Sequence, residues 1–110
     1  MENFRTFEDL DVYKMAREFR RKMYKFAKGF PVEEKYNLAS QVRRAAVSLT
    51  NNIAEGHGRF HYQENIQFLR QSRGSLEELI DDINVCLDEN YIDETEFKNI
   101  KEEAYEVLKK

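Results

Sequence analysis

Apolar residues recur at three- and four-residue steps along almost the whole chain, and only one proline, Pro31, and four glycines interrupt them. A period near 3.6 places those side chains on one face of an α-helix, whereas a strand needs alternation with period two, which no stretch here shows. So few breakers mean long helices. Each such helix has one apolar stripe to bury, and the short connections favour antiparallel neighbours. A chain of 110 residues is then read as one all-α domain, an antiparallel up-down four-helix bundle. The spacing predicts helices over residues 11–28, 35–55, 62–89 and 94–109.

The stripes can be followed residue by residue. In helix 1 they are Val12, Ala16, Phe19, Met23, Phe26 and Phe30. Asp9 or Asp11 can cap its start, Gly29 suits a left-handed residue past its end, and Pro31 stops it. Helix 2 carries Leu38, Val42, Ala45, Ala46, Leu49 and Ile53, with Gly56 and Gly58 bracketing the turn that follows. Helix 3 carries Ile66, Leu69, Leu76, Ile80, Ile83 and Leu87. Gly74 in its middle costs about 1 kcal/mol relative to alanine, which implies that another backbone passes close there. Asp93 and Glu96 resemble a capping box for helix 4, whose stripe is Phe97, Ile100, Ala104, Val107 and Leu108. Phe4, Phe7 and Leu10 are expected to pack an N-terminal arm onto the bundle.

A composition of 41% hydrophobic and 35% charged residues is too apolar for disorder and too charged for a membrane protein. Met1 to Arg5 has no apolar core of a signal peptide, and the lone Cys86 allows no internal disulfide, so a cytoplasmic protein is expected. The net charge of −3 divides unevenly: residues 1–60 carry +4 and residues 61–110 carry −7. Such a division predicts separate basic and acidic surfaces, which could meet across an oligomer or leave one surface for nucleic acid.

Two stripes carry the functional expectation. Lys14, Arg17, Arg21, Lys25 and Lys28 share one face of helix 1, opposite the apolar stripe. A row of long cations at helical spacing can follow a phosphate backbone, or it can be a solvated face that keeps the protein dissolved. Its neighbours Phe19 and Phe26 belong to the core side and offer no stacking platform. On helix 2 the residues Asn37, Gln41, Arg44, Ser48, Asn52 and Glu55 align. Short and amide-bearing side chains suit a hydrogen-bonded network at a helix or subunit interface, with a ligand or nucleic-acid site as the other reading. Arg73, which interrupts the helix 3 stripe, either reaches solvent or pairs with a carboxylate such as Glu55.

Enzyme chemistry has little to work with. Cys86 has no adjacent histidine and reads as core. Ser40, Ser48, Ser72 and Ser75 lack the setting of a nucleophile elbow. His57 and His61 are separated by Gly58, which interrupts the helix a metal pair would need. An Arg-x4–6-His motif, as bacterial helical-bundle ribonucleases use, is absent: Arg44 is too far from His57, and Arg59 too close to His61. No catalytic centre, cofactor, metal or small-molecule substrate is expected.

Three ordered blocks carry a family resemblance. They are Phe7-Glu8-Asp9-Leu10-Asp11-Val12-Tyr13, then Arg43-Arg44-Ala45-Ala46-Val47-Ser48 with Asn52-Ile53-Ala54-Glu55-Gly56, then Phe68-Leu69-Arg70-Gln71-Ser72-Arg73-Gly74-Ser75-Leu76. Together they resemble the bacterial four-helix bundle proteins encoded in intervening sequences of 23S ribosomal RNA genes. The resemblance implies a ring-shaped homopentamer with no assigned biochemical activity. A related branch, the accessory proteins of diversity-generating retroelements, implies nucleic-acid binding through a basic surface. Gln41, Arg44, Ser48, Asn52, Glu55, Gly56, Arg59 and Arg73 match the family pattern. The chain departs from it at Asn37, where glycine is frequent, and at Thr50, where proline is frequent; without that proline a kink in helix 2 loses its cause.

Overall fold

Four α-helices form where the apolar period is strongest: α1 (Asp11–Lys28), α2 (Leu38–His57), α3 (Tyr62–Asp88) and α4 (Glu94–Lys109). The computed structural model describes residues 6–59 and 61–109, and no strand occurs among them. Expectations for Met1 to Arg5, including the packing of Phe4, lie outside the described residues. Short 3₁₀ turns at Phe7–Asp9 and Val32–Glu34 precede α1 and α2.

Each helix buries its stripe against two neighbours. α1 packs on α2 and α4, and α3 packs on the same two, which leaves α1 and α3 across a diagonal. Phe19 and Met23 of α1, Val42 and Leu49 of α2, Leu76, Leu79 and Ile83 of α3, and Ala104 of α4 meet in one core. Alanines at 16, 45, 46 and 104 are buried among these larger side chains, and their small size lets helices approach closely. Side-chain bonds pair α2 with α3 in opposite residue order: Gly56 with Asn65, Leu49 with Ser72, Ser48 with Ser75. Lys22 of α1 with Glu103 of α4, and Asn84 of α3 with Lys101 of α4, tie in the remaining helix.

The ends of the helices differ from the sequence expectation in informative ways. Helix 2 starts at Leu38 rather than residue 35, because Val32–Glu34 closes its own 3₁₀ turn first. It also runs through Gly56 to His57, with Gly58 as its C-cap. Gly56 is buried inside the helix, and a Cβ there would lie 3.1 Å from Cβ of Phe68 and 3.3 Å from the Asn65 carbonyl oxygen. The close approach expected at Gly74 therefore occurs at Gly56; no other group lies within 4 Å of a Cβ built at Gly74. Gly29 keeps φ at −88° and is not left-handed. That conformation is used at the end of α3, where Asn90 has φ of 62°. There the Tyr91 N–H donates to the Cys86 carbonyl at 2.8 Å and the Asn90 N–H to that of Leu87 at 3.1 Å, the two bonds of a Schellman end with asparagine in place of glycine.

Caps follow the same logic. Asp9 does not cap α1 directly; its carboxylate accepts the Thr6 N–H at 2.9 Å, and the Thr6 hydroxyl accepts the Glu8 N–H at 3.2 Å, closing the preceding turn. Asp93 accepts the Glu96 N–H at 2.8 Å, as its spacing predicts. Leu69 is 41% exposed, although it lies on the apolar stripe. It faces an open apolar groove of about 320 Å³ at the end of the bundle where α1 begins and α4 stops.

Candidate functional site

The basic stripe of α1 is a real surface feature. Lys14, Arg17, Arg21, Lys25 and Lys28 are all exposed. At 100° per residue they fall within one arc, with buried Ala16, Phe19, Met23 and Ala27 on the opposite side. Fourteen residues separate its ends, about 21 Å along the helix axis. Of the five, only Arg21 makes an ion pair among the described residues, 3.4 Å from Glu18 within the same helix and largely exposed to solvent. Lys25 and Lys28 also sit in the last turn, where cations complement the helix dipole.

Two further cations of α1 lie beside the stripe and serve the fold. The Arg20 guanidinium donates to Thr50 Oγ1 at 2.9 Å, in a partly buried setting. Lys22 reaches Glu103 on α4. Spacing alone does not separate these two from their neighbours; only their contacts do. Tyr24, 37% exposed, lines the same shallow depression as Arg21, Lys25 and Lys28, an aromatic that the apolar-stripe reading passed over.

The polar stripe of α2 divides into three. Its centre is a network inside the subunit: Asn52 Nδ2 donates to the Ser48 carbonyl at 2.8 Å and to Ser48 Oγ at 3.0 Å, and Ser75 Oγ of α3 donates to Ser48 Oγ at 2.9 Å. Arg44 reaches Glu78 of α3 at 3.6 Å, and both are largely exposed. Arg59 pairs with Glu55 at 3.1 Å and lays its guanidinium 4.9 Å from the Phe68 ring centroid. Gln41 is exposed and joins none of the three. Arg73 is exposed and does not pair with Glu55; the register sets Gly56 beside Asn65, about two turns from Arg73. These contacts hold α2 on α3.

Buried polar residues were the part hidden from the sequence. Ser72 Oγ donates to the Leu49 carbonyl at 2.7 Å. Asp82 is 6% exposed, and its Oδ2 has no hydrogen-bond partner among the described residues. Burial, with Glu78 and Asp81 nearby, pushes its carboxyl up to about 6, against a smaller opposing pull from Arg44. Burial likewise pushes the Cys86 thiol up to about 12, which suits a core residue rather than a nucleophile. Among the described residues no three His, Cys, Asp or Glu side chains gather as a metal site would require, and no helix is long and apolar enough to cross a membrane.

What the fold and its surfaces define is a small all-helical bundle with an exposed row of cations along α1. The chain belongs to the 23S rRNA-intervening sequence protein family, whose model matches residues 8–110. It is similar in fold to a protein of unknown function from the S23 ribosomal protein family of Bacteroides thetaiotaomicron. The two are 20% identical, with a TM-score of 0.82 over 89% of this chain and 88% of that one. No curated protein shows significant similarity to the chain.

Proposed function

We propose that this protein is a non-catalytic binding module of the cytoplasm, an antiparallel up-down bundle that joins copies of itself into a homopentameric ring and presents the basic face of α1 to structured RNA or DNA. The observation that carries the nucleic-acid reading is the exposed row Lys14, Arg17, Arg21, Lys25 and Lys28, to which, among the described residues, Glu18 is the one anion paired. Exposed cations of this kind can replace the counterions of a phosphate backbone.

The up-down arrangement is supported by the opposite residue order of the bonds between α2 and α3. Self-assembly is supported by the open apolar groove that Leu69 faces, lined also by Val12, Val107 and Leu108. It leaves the row from Lys14 to Lys28 uncovered, and a patch on one copy that meets a different patch on the next closes into a ring when the rotation per step allows. Non-catalysis is supported by the inert setting of Cys86 and by the division of the polar stripe into structural pairs. A cytoplasmic setting is supported by the sequence's single cysteine, Cys86, buried and free of any disulfide among the described residues.

Native mass spectrometry tests the assembly: a closed oligomer is expected, and a strict monomer at micromolar concentration contradicts it. An electrophoretic mobility assay with a structured RNA tests the partner. The wild-type protein is expected to shift the RNA at low salt, and a variant carrying Arg17→Glu and Arg21→Glu to leave it unshifted. Both substitutions are at exposed positions, so circular dichroism of the variant should match the wild type.

A further inference from the structure

The α1 stripe does not end at Lys28. Immediately beyond it, the chain turns at Pro31 and enters α2, and a pocket of about 390 Å³ opens at this corner. Ala27, Phe30 and Ala39 form its floor, and Lys28, Lys35 and Arg43 form its rim. The other lining residues, Pro31 and Val32, are apolar, so no carboxylate lines the pocket. The two acids of this turn do not change that. Glu34 is turned away, accepting from the Tyr91 hydroxyl at 2.7 Å and from the Leu38 N–H at 3.4 Å, and Glu33 is exposed outside the pocket.

Two large side chains at this corner are left in water. Val32 is 82% exposed and Tyr36 is 83% exposed. The Lys35 ammonium lies 5.3 Å from the Tyr36 ring centroid, and Arg43 donates to the Lys35 carbonyl at 3.4 Å, which ties the turn to α2. An apolar floor with a purely cationic rim and an exposed aromatic beside it fits one kind of ligand: a flat apolar body joined to an anion.

We infer that this corner receives an unpaired base of a nucleic-acid strand, with its phosphates on Lys28, Lys35 and Arg43 and a neighbouring base stacked on Tyr36. The inference rests on the reading of α1 as a nucleic-acid surface and adds which form of nucleic acid it takes. Phosphates alone would not distinguish duplex from single strand. A face of an exposed tyrosine can stack only on a base that is not already stacked in a duplex. Tyr24, in the depression along α1, provides a second such face nearer the middle of the stripe. Unpaired loops and ends of structured RNA supply bases of this kind.

The test uses the full-length protein and fluorescence anisotropy with a labelled 12-nucleotide oligouridine RNA, and with a blunt RNA duplex of the same length, at 50 mM salt. The single strand is expected to bind at least tenfold tighter than the duplex. Tyr36→Ala and Val32→Asn, both at exposed positions, are each expected to weaken single-strand binding by about fivefold to a hundredfold and to leave duplex binding unchanged. Lys35→Gln, outside the α1 stripe, checks the rim and is expected to weaken the single strand by several-fold. Equal binding of strand and duplex, or wild-type affinity in all three variants, overturns the inference and leaves the α1 reading standing. Binding of neither RNA by the wild type removes both.

Discussion

Arg20 of α1 donates a hydrogen bond to the hydroxyl of Thr50 on α2 at 2.9 Å, and that hydroxyl in turn donates to the Val47 carbonyl at 3.2 Å. Thr50 is 1% exposed. A cation beside the basic face is thereby used to lock the two helices together. Replacing Thr50 with valine keeps the shape but strands the guanidinium. The expected loss is about 1–2 kcal/mol, read as a fall in melting temperature of roughly 4–12 °C, with α2 still helical by circular dichroism.

Gly56 and Gly74 lie inside helices, yet alanine should act in opposite directions at the two. At Gly74 nothing within 4 Å opposes a Cβ, so Gly74→Ala should gain about 0.5–1 kcal/mol from helix propensity. At Gly56 the methyl would press on Phe68 and on the Asn65 backbone, both fixed by packing and by the bond from Asn65 Nδ2 to the Gly56 carbonyl. Gly56→Ala is expected to cost about 1–3 kcal/mol for crowding, more than propensity returns. Thermal melts of the two variants check this; a stabilised Gly56→Ala protein would show that the α2–α3 junction has room.

Asp82 should make stability depend on pH. Its carboxyl titrates near 6 in the folded protein against 3.8 for the ordinary side chain, so the folded state holds a proton more tightly than the unfolded chain. The charged form therefore opposes folding above pH 6, and that penalty fades as pH falls from 6 towards 4. Asp82→Asn should be more stable than the wild type by roughly 1–3 kcal/mol at pH 8. Urea melts at pH 8, 6 and 4 should show this gap closing. A constant gap would mean that the carboxyl is not the titrating group.

Helices and core were written in the sequence because periodicity is a local signal. The stripe Ala16, Phe19 and Met23 names buried residues directly, and Asp93 announces its cap. Features that depend on a neighbour were not legible. Nothing in the spacing separates Arg20 and Lys22, which bond to α2 and α4, from Arg17 and Arg21, which do not. Gly74 and Gly56 look alike until the register of α2 on α3 is known. The corner around Tyr36 was missed for the same reason: Lys28, Lys35 and Arg43 belong to different elements, and only the turn at Pro31 brings them to one pocket.

The central claim is that the row from Lys14 to Lys28 follows a phosphate backbone, and salt dependence reads it most directly. Equilibrium titration of a structured RNA between 50 and 300 mM monovalent salt should give a linear fall of log affinity with log salt. Five phosphate contacts predict a slope between about −3 and −5. Arg17→Glu with Arg21→Glu should remove the binding altogether. A slope near zero, or affinity untouched by the two reversals, would contradict the account.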